Sequence, residues 1–142
     1  MTVDAFDADV LIYAASPSHE LGRRIAQLFV AEPAPDVGDP APVGVGSVLL
    51  LPELLIHPTR HAATTQRARL LHLLARLDLL PVTEHVAALA VVLGAKYGLK
   101  PIDAVHLATA VDAGCDRFIT NNIRDFDSAR IDEIEIVTPA TL

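Results

Sequence analysis

The chain reads as an α/β protein with a central, mostly parallel sheet. Two observations predict this. Short apolar runs bounded by turn residues alternate with longer segments of helical spacing, from VDAF near the start to CDRFIT and EIV near the end. Carboxylates also recur where strand runs stop and helical runs begin: Asp7, Glu53, Asp103 and Asp125, with Asp9 and Asn122 beside two of them. Parallel sheets bind ligands beyond the carboxyl ends of their strands, so separate pieces of chain would present polar groups to one edge.

The elements follow in order. Residues 3–7 read as a first strand, with Val3 and Phe6 apolar, followed by a turn and then a helix through DADVLIYAA. Ser16-Pro17 marks a break. Ser18 is placed to cap a helix over 19–32, where Leu21, Ile25, Leu28 and Phe29 share one face. Residues 33–46 are dense in Pro and Gly and read as a long loop with a short strand near 43–45. Residues 47–56 predict a helix interrupted near Pro52, with Ser47 as a cap. The next helix spans 61–76, its apolar face built from Ala68, Leu71, Leu74 and Ala75. A strand at 79–82 precedes Thr83-Glu84, which opens a helix to Tyr97 with Gly98 as its C-cap. Pro101 suits the first position of a helix continuing over 102–113, which Gly114 ends. Strands at 115–120 and 135–137 complete the set.

A chain of 142 residues is long enough for one domain with a real core. Hydrophobic residues at 51% and charged residues at 20% exclude a disordered composition. Aromatics are 4% with no Trp, so Leu, Val, Ile and Ala must build the core. The acidic N-terminal stretch lacks the charge pattern of a secretory leader, and no apolar run is long enough to span a membrane. The single Cys115 excludes an internal disulfide and fits a reducing, cytoplasmic setting, where it reads as a small buried hydrophobe.

A formal net charge of -7 argues against broad, non-specific nucleic-acid binding. It leaves a nuclease open, because metal-binding carboxylates inflate the negative count. Arg60, Arg67, Arg69 and Arg76 cluster in one segment, and Arg124 and Arg130 flank the late acidic run. Surface solvation alone explains most such arginines.

Several chemistries find no support. One Cys and six scattered His make neither paired-cysteine nor HExxH zinc sites. No GxxxxGK[ST] loop, GxGxxG fingerprint or GxSxG elbow occurs. What the carboxylates would form, if brought together, is an oxygen-rich pocket suited to a hard divalent cation, Mg²⁺ or Mn²⁺.

Three stretches together resemble the PIN-domain family, most closely its VapC-type toxins of prokaryotic toxin–antitoxin pairs. FDADVLIYA at 6–14 is similar to the opening strand and its Asp-x-Asn/Asp-x-Leu signature, with Asp7 at the metal-site Asp and Asp9 at the Asn/Asp two residues on. SVLLLPELL at 47–55 matches Glu53 to the helix-borne Glu and Ser47 to the small hydroxyl residue before it. PIDAVHLATAVDAGCDRFITNNIRDF at 101–126, the most specific stretch, matches Asp103 to the third acidic residue. One departure stands out. Asn122 occupies the place of the usual fourth Asp, and Asp125 matches a less uniform Asp three residues later.

The resemblance implies a three-layer α/β/α fold in one PIN-like domain over 1–142. It implies a divalent-metal-dependent endoribonuclease restrained by a small antitoxin, and a homodimer or a dimer within the toxin–antitoxin complex. Asp7, Glu53, Asp103, Asp125 and Asn122 would form the catalytic and Mg²⁺/Mn²⁺ site, with Asp9 and Thr120 supporting it. The metal would activate water for in-line attack on an RNA phosphodiester.

Each residue also has a plainer reading. Asp7 and Asp103 suit helix caps or first turns, Glu53 a solvated helix position, and Asp125 a solvated turn. Asp9 suits a backbone hydrogen bond and His106 a satisfied helix histidine, while Thr120 is placed to orient a carboxylate or water of the site. Two other functions compete: a non-catalytic PIN-like module binding RNA or protein through a weakened metal site, motivated by Asn122, and a phosphoesterase acting on a small nucleotide. The leucine-rich 70–80 region and the 47–56 helix are candidate surfaces for an antitoxin helix.

Overall fold

The computed structural model describes residues 2–30 and 41–142. Five strands form one sheet: β1 (Asp4–Phe6), β2 (Gly44–Ser47), β3 (Leu77–Leu80), β4 (Arg117–Ile119) and β5 (Glu135–Val137). Their order is β3-β2-β1-β4-β5, and every neighbouring pair is parallel. Among the described residues the α-helices are α1 (Ala8–Ala14), α2 (Glu20–Leu28), α3 (Leu50–Arg60), α4 (Thr64–Leu74), α5 (Glu84–Tyr97) and α6 (Pro101–Asp112).

Alternation along the short strands sends side chains to two cores. Ala5 and Phe118 join Val86, Leu93, Leu107 and Phe126 on the face covered by α5 and α6. Phe6 and Ile119 join Leu11, Ile25, Leu50 and Leu74 on the face covered by α1 to α4. A parallel sheet buried on both faces between helices is the expected three-layer α/β/α arrangement.

Local signals place α5 and α6 well. The Thr83 side chain accepts from Val86 N at one end of α5, and Gly98 at φ 67 closes the other in the left-handed region that glycine tolerates. Pro101 opens α6. Gly22 meets a different demand: a Cβ there would fall 1.9 Å from Tyr13 O, so its absence lets α2 pack against α1.

Other boundaries differ from the sequence reading. No turn separates β1 from α1, because Asp7 itself is the helix N-cap. The helix expected over 19–32 spans Glu20–Leu28; residues 31–32 and the 33–40 part of the expected loop lie outside the described residues. Ser47 ends β2 rather than capping a helix, and its Oγ accepts from Leu49 N. Helix α3 then starts at Leu50, carries Pro52 in its first turn where the missing N–H costs nothing, and runs on to Arg60. Strand β3 lies two residues earlier than expected. The buried face of α4 is Leu70, Leu73 and Leu74, whereas Ala68 and Leu71 are exposed. Leucines on both sides of that helix hide which side packs.

Candidate functional site

The chain runs outward from β1 through β2 to β3, then returns to place β4 on the other side of β1. The connections leaving β1 and β4 therefore diverge, which opens a crevice at their carboxyl ends. Register pairs Phe6 with Ile119, so the residues that follow, Asp7 and Thr120, face each other at the mouth of that crevice.

Asp7 is buried at 4% exposure. Its Oδ1 accepts from Ala8 N at 2.8 Å, and its Oδ2 accepts from the Thr120 hydroxyl at 2.8 Å. Thr120 is fully buried, and its Oγ also accepts from Asn122 N at 3.0 Å. Asp9 ties α1 to the same loop: Oδ1 accepts from Val10 N and Oδ2 from Asn121 N. Asn122 donates from Nδ2 to Asp125 Oδ2 at 2.9 Å, while its own Oδ1 accepts from Asp125 N. The amide at the altered fourth corner thus holds the carboxylate three residues on.

Helices α3 and α6 supply the rest. Asp103 lies in the first turn of α6, where the helix dipole favours a carboxylate. Glu53 lies in the first turn of α3 with its side chain 30% exposed. Its Oε2 meets His106 Nε2 at 2.5 Å, across from a ring that is 1% exposed. His106 stands one turn after Asp103 on the buried face of α6. A groove of about 530 Å³ opens beside Glu53 and Asp103, lined also by Pro52, Ile56, Lys100 and Ile102.

Electrostatics link these groups. Asp7 is held above the ordinary carboxylate range by burial, against the lowering effects of Thr120 and His106, with Glu53 raising it further. Asp9 is pushed up to about 6, first by burial and then by the charge of Asp7. Asp103 is raised by burial, then by Asp7, Asp125 and Glu53. Five carboxylates from four pieces of chain therefore sense one another across one crevice. They do not form a finished cage: among the described residues, no three His, Cys, Asp or Glu side chains already gather around one point as an ion site. Glu53 and Asp125 are each turned onto an internal partner instead.

The donor set is nonetheless chemically suited to Mg²⁺ or Mn²⁺. It is all oxygen and rich in negative charge. The sequence reading brought Asp7, Asp9, Glu53, Asp103, Thr120, Asn122 and Asp125 to this crevice. It left His106 as an ordinary helix histidine, yet its ring is the one that meets Glu53. The available signal was a polar ring among Ala104, Leu107, Ala108 and Ala110 on the buried stripe of α6. Two of the clustered arginines hold the fold: Arg76 donates to Phe29 O and Arg67 to Thr59 Oγ.

A family model described as PIN domain matches residues 5–132. No curated protein matches the sequence. Among solved structures, a toxin–antitoxin complex from Klebsiella pneumoniae is 26% identical, with a TM-score of 0.71 over 97% of this chain and 98% of that one. VapBC2 from Rickettsia felis bound to a promoter DNA fragment is 15% identical, with a TM-score of 0.71 over 96% and 98%. DNA-bound VapBC from Salmonella typhimurium is 21% identical, with a TM-score of 0.64 over 98% and 99%. The last two likenesses carry the fold alone.

Proposed function

The chain belongs to the PIN-domain family, and we propose that it is the toxin-type member of a toxin–antitoxin pair whose acidic crevice engages RNA through a divalent cation. The observation that carries this reading is the crowding of Asp7, Asp9 and Asp103, each raised by burial and by its neighbours' charge. A site that crowds like charges is stabilised by a cation and by little else.

Two forms of the reading differ in turnover. The side chains as they lie support most directly a module that binds RNA or a protein partner through a weakened metal site, since the carboxylates are not gathered and Glu53 and Asp125 are engaged internally. The raising of Asp103 by Asp7, Asp125 and Glu53, and of Asp7 by Glu53, favours the second form, a Mg²⁺- or Mn²⁺-dependent endoribonuclease. In that form Asp7, Asp103, Glu53 and Asp125 would hold the ion, which when bound lowers the pKa of water and offsets charge developing on the phosphate. The chain's own residues orient this set. Thr120 fixes the Asp7 carboxylate, Asp9 pins the loop after β4 to α1, and Asn122 fixes Asp125.

The partner reading draws on the Klebsiella complex, a toxin–antitoxin assembly. Of the two surfaces expected for an antitoxin helix, the 70–80 region is mainly core, with Leu70, Leu73, Leu74 and Leu77 buried. The outer face of α3 remains available, with Ile56 64% exposed beside Pro52 and Leu55. An antitoxin seated there would place a basic side chain within reach of Glu53.

The test is RNA incubation with Mg²⁺ or Mn²⁺ alongside RNA binding by the same preparation. Cleavage lost in Asp7→Asn supports the nuclease form. Tight binding without turnover under either metal supports the binding module. Hydrolysis of a small nucleotide ester with RNA left intact would overturn the RNA reading.

A further inference from the structure

Glu53 is the one acidic residue of the crevice held by a side chain from the far core layer. His106 is 3% exposed and lies on α6, while Glu53 lies on α3. Their contact runs from His106 Nε2 to Glu53 Oε2. The other ring nitrogen, Nδ1, is buried and has no hydrogen-bond partner among the described residues. A carboxylate oxygen only accepts, so Nε2 carries the hydrogen. The ring thus donates from Nε2 to one oxygen of Glu53.

The opposite oxygen, Oε1, makes no hydrogen bond among the described residues, and the Glu53 side chain opens onto the groove it shares with Asp103. A carboxylate anchored through one oxygen, with its other oxygen free toward neighbouring carboxylates, is the arrangement by which outer-shell donors orient metal ligands. We propose that His106 is a positioning residue: its Nε2–H anchors Oε2 of Glu53, so that Oε1 is presented to a divalent cation held with Asp7 and Asp103. This rests on the metal reading of the crevice above. His106 touches neither ion nor substrate and acts only through Glu53.

The side-chain lengths give a discriminating test. A glutamine at 106 can place an amide N–H near the position of Nε2, whereas asparagine is too short to reach it. Mn²⁺ binding is measured by titration of the free-ion paramagnetic resonance signal, with thermal unfolding of each metal-free variant as the check on folding. Glu53→Gln and His106→Asn each weaken Mn²⁺ binding by about tenfold, and His106→Gln stays within about threefold of the parent. In RNA cleavage the His106→Asn loss is recovered by raising Mn²⁺, so the metal requirement shifts while turnover at saturation holds. His106→Asn binding Mn²⁺ like the parent, while Glu53→Gln does not, overturns the positioning role and leaves the metal reading intact. Glu53→Gln binding Mn²⁺ like the parent overturns both. Equal weakening in His106→Gln and His106→Asn also overturns the proposal, because a loss of ring packing would then account for both.

Discussion

Two buried aspartates stand at opposite ends of β1, and their surroundings could hardly differ more. Asp4 opens the strand at 8% exposure and receives two hydrogen bonds from one guanidinium, Arg117 Nε at 2.7 Å and Nη2 at 2.9 Å. Arg117 is its register partner on β4, so the sheet itself supplies the countercharge. Asp7 follows the strand at 4% exposure and receives a hydroxyl and a backbone N–H, with Asp9, Glu53 and Asp103 nearby and no Arg or Lys ion pair among the described residues. A paired buried carboxylate serves the fold. An unpaired one among like charges strains it, and such strain persists where a ligand relieves it.

Substitution at the two ends should therefore act in opposite ways. Asp7→Asn is expected to lower RNA cleavage on the order of 100-fold, the scale of losing a residue that holds transition-state charge, while raising the metal-free melting temperature. Asp103→Asn is expected to follow it. Asp4→Asn should leave cleavage within about twofold but cost about 2 kcal/mol in urea unfolding, less than a fully buried pair because Arg117 keeps some solvent contact. Equal effects at both ends would erase the distinction.

The contrast also predicts a pH dependence. Asp9 titrates near 6 when folded against 3.8 in the open chain, and Asp7 and Asp103 shift in the same direction. The folded state therefore binds more protons between those values. Stability falls as pH rises through that window, and the penalty is complete above it. The metal-free protein should melt at a higher temperature at pH 5 than at pH 7.5. Added Mn²⁺ should raise the melting temperature more at pH 7.5 than at pH 5, because the deprotonated carboxylates are the ones that bind. Chelation should remove that increment. Calorimetry at the two pH values checks all three.

The smallest effect concerns the altered corner. Asn122→Ala removes the donor that holds Asp125 and should weaken cleavage or Mn²⁺ binding by about fivefold, since Asp125 remains but loses its fixed rotamer. Asn122→Asp places two carboxylates side by side and should lower the metal-free melting temperature while lowering the Mn²⁺ concentration that saturates the site.

The sequence made these ends legible to different degrees. Asp7, Asp103 and the caps of α5 were readable because their signals are local: a carboxylate after a strand run, a proline opening a helix, a threonine and a glycine at fixed positions. The start of α3 was not, because Ser47 suits a cap and a strand end equally, and the pairing of β2 with β3 decides between them. The packed side of α4 was hidden by leucines at 70, 71, 73 and 74. The Glu53–His106 contact joins residues 53 positions apart, and the Asp4–Arg117 pair 113. No local pattern carries such distances; only the sheet order brings those residues together.

The central claim is that the unpaired end of β1 is a cation site. A crystal structure of the protein soaked with Mn²⁺ tests it most directly, through the anomalous signal of the ion. The account predicts an ion in direct contact with Asp7 and Asp103, with Glu53 or Asp125 in its coordination shell. An ion bound elsewhere, or none at saturating Mn²⁺ with Asp7 still hydrogen-bonded only to Thr120 and Ala8, would contradict it.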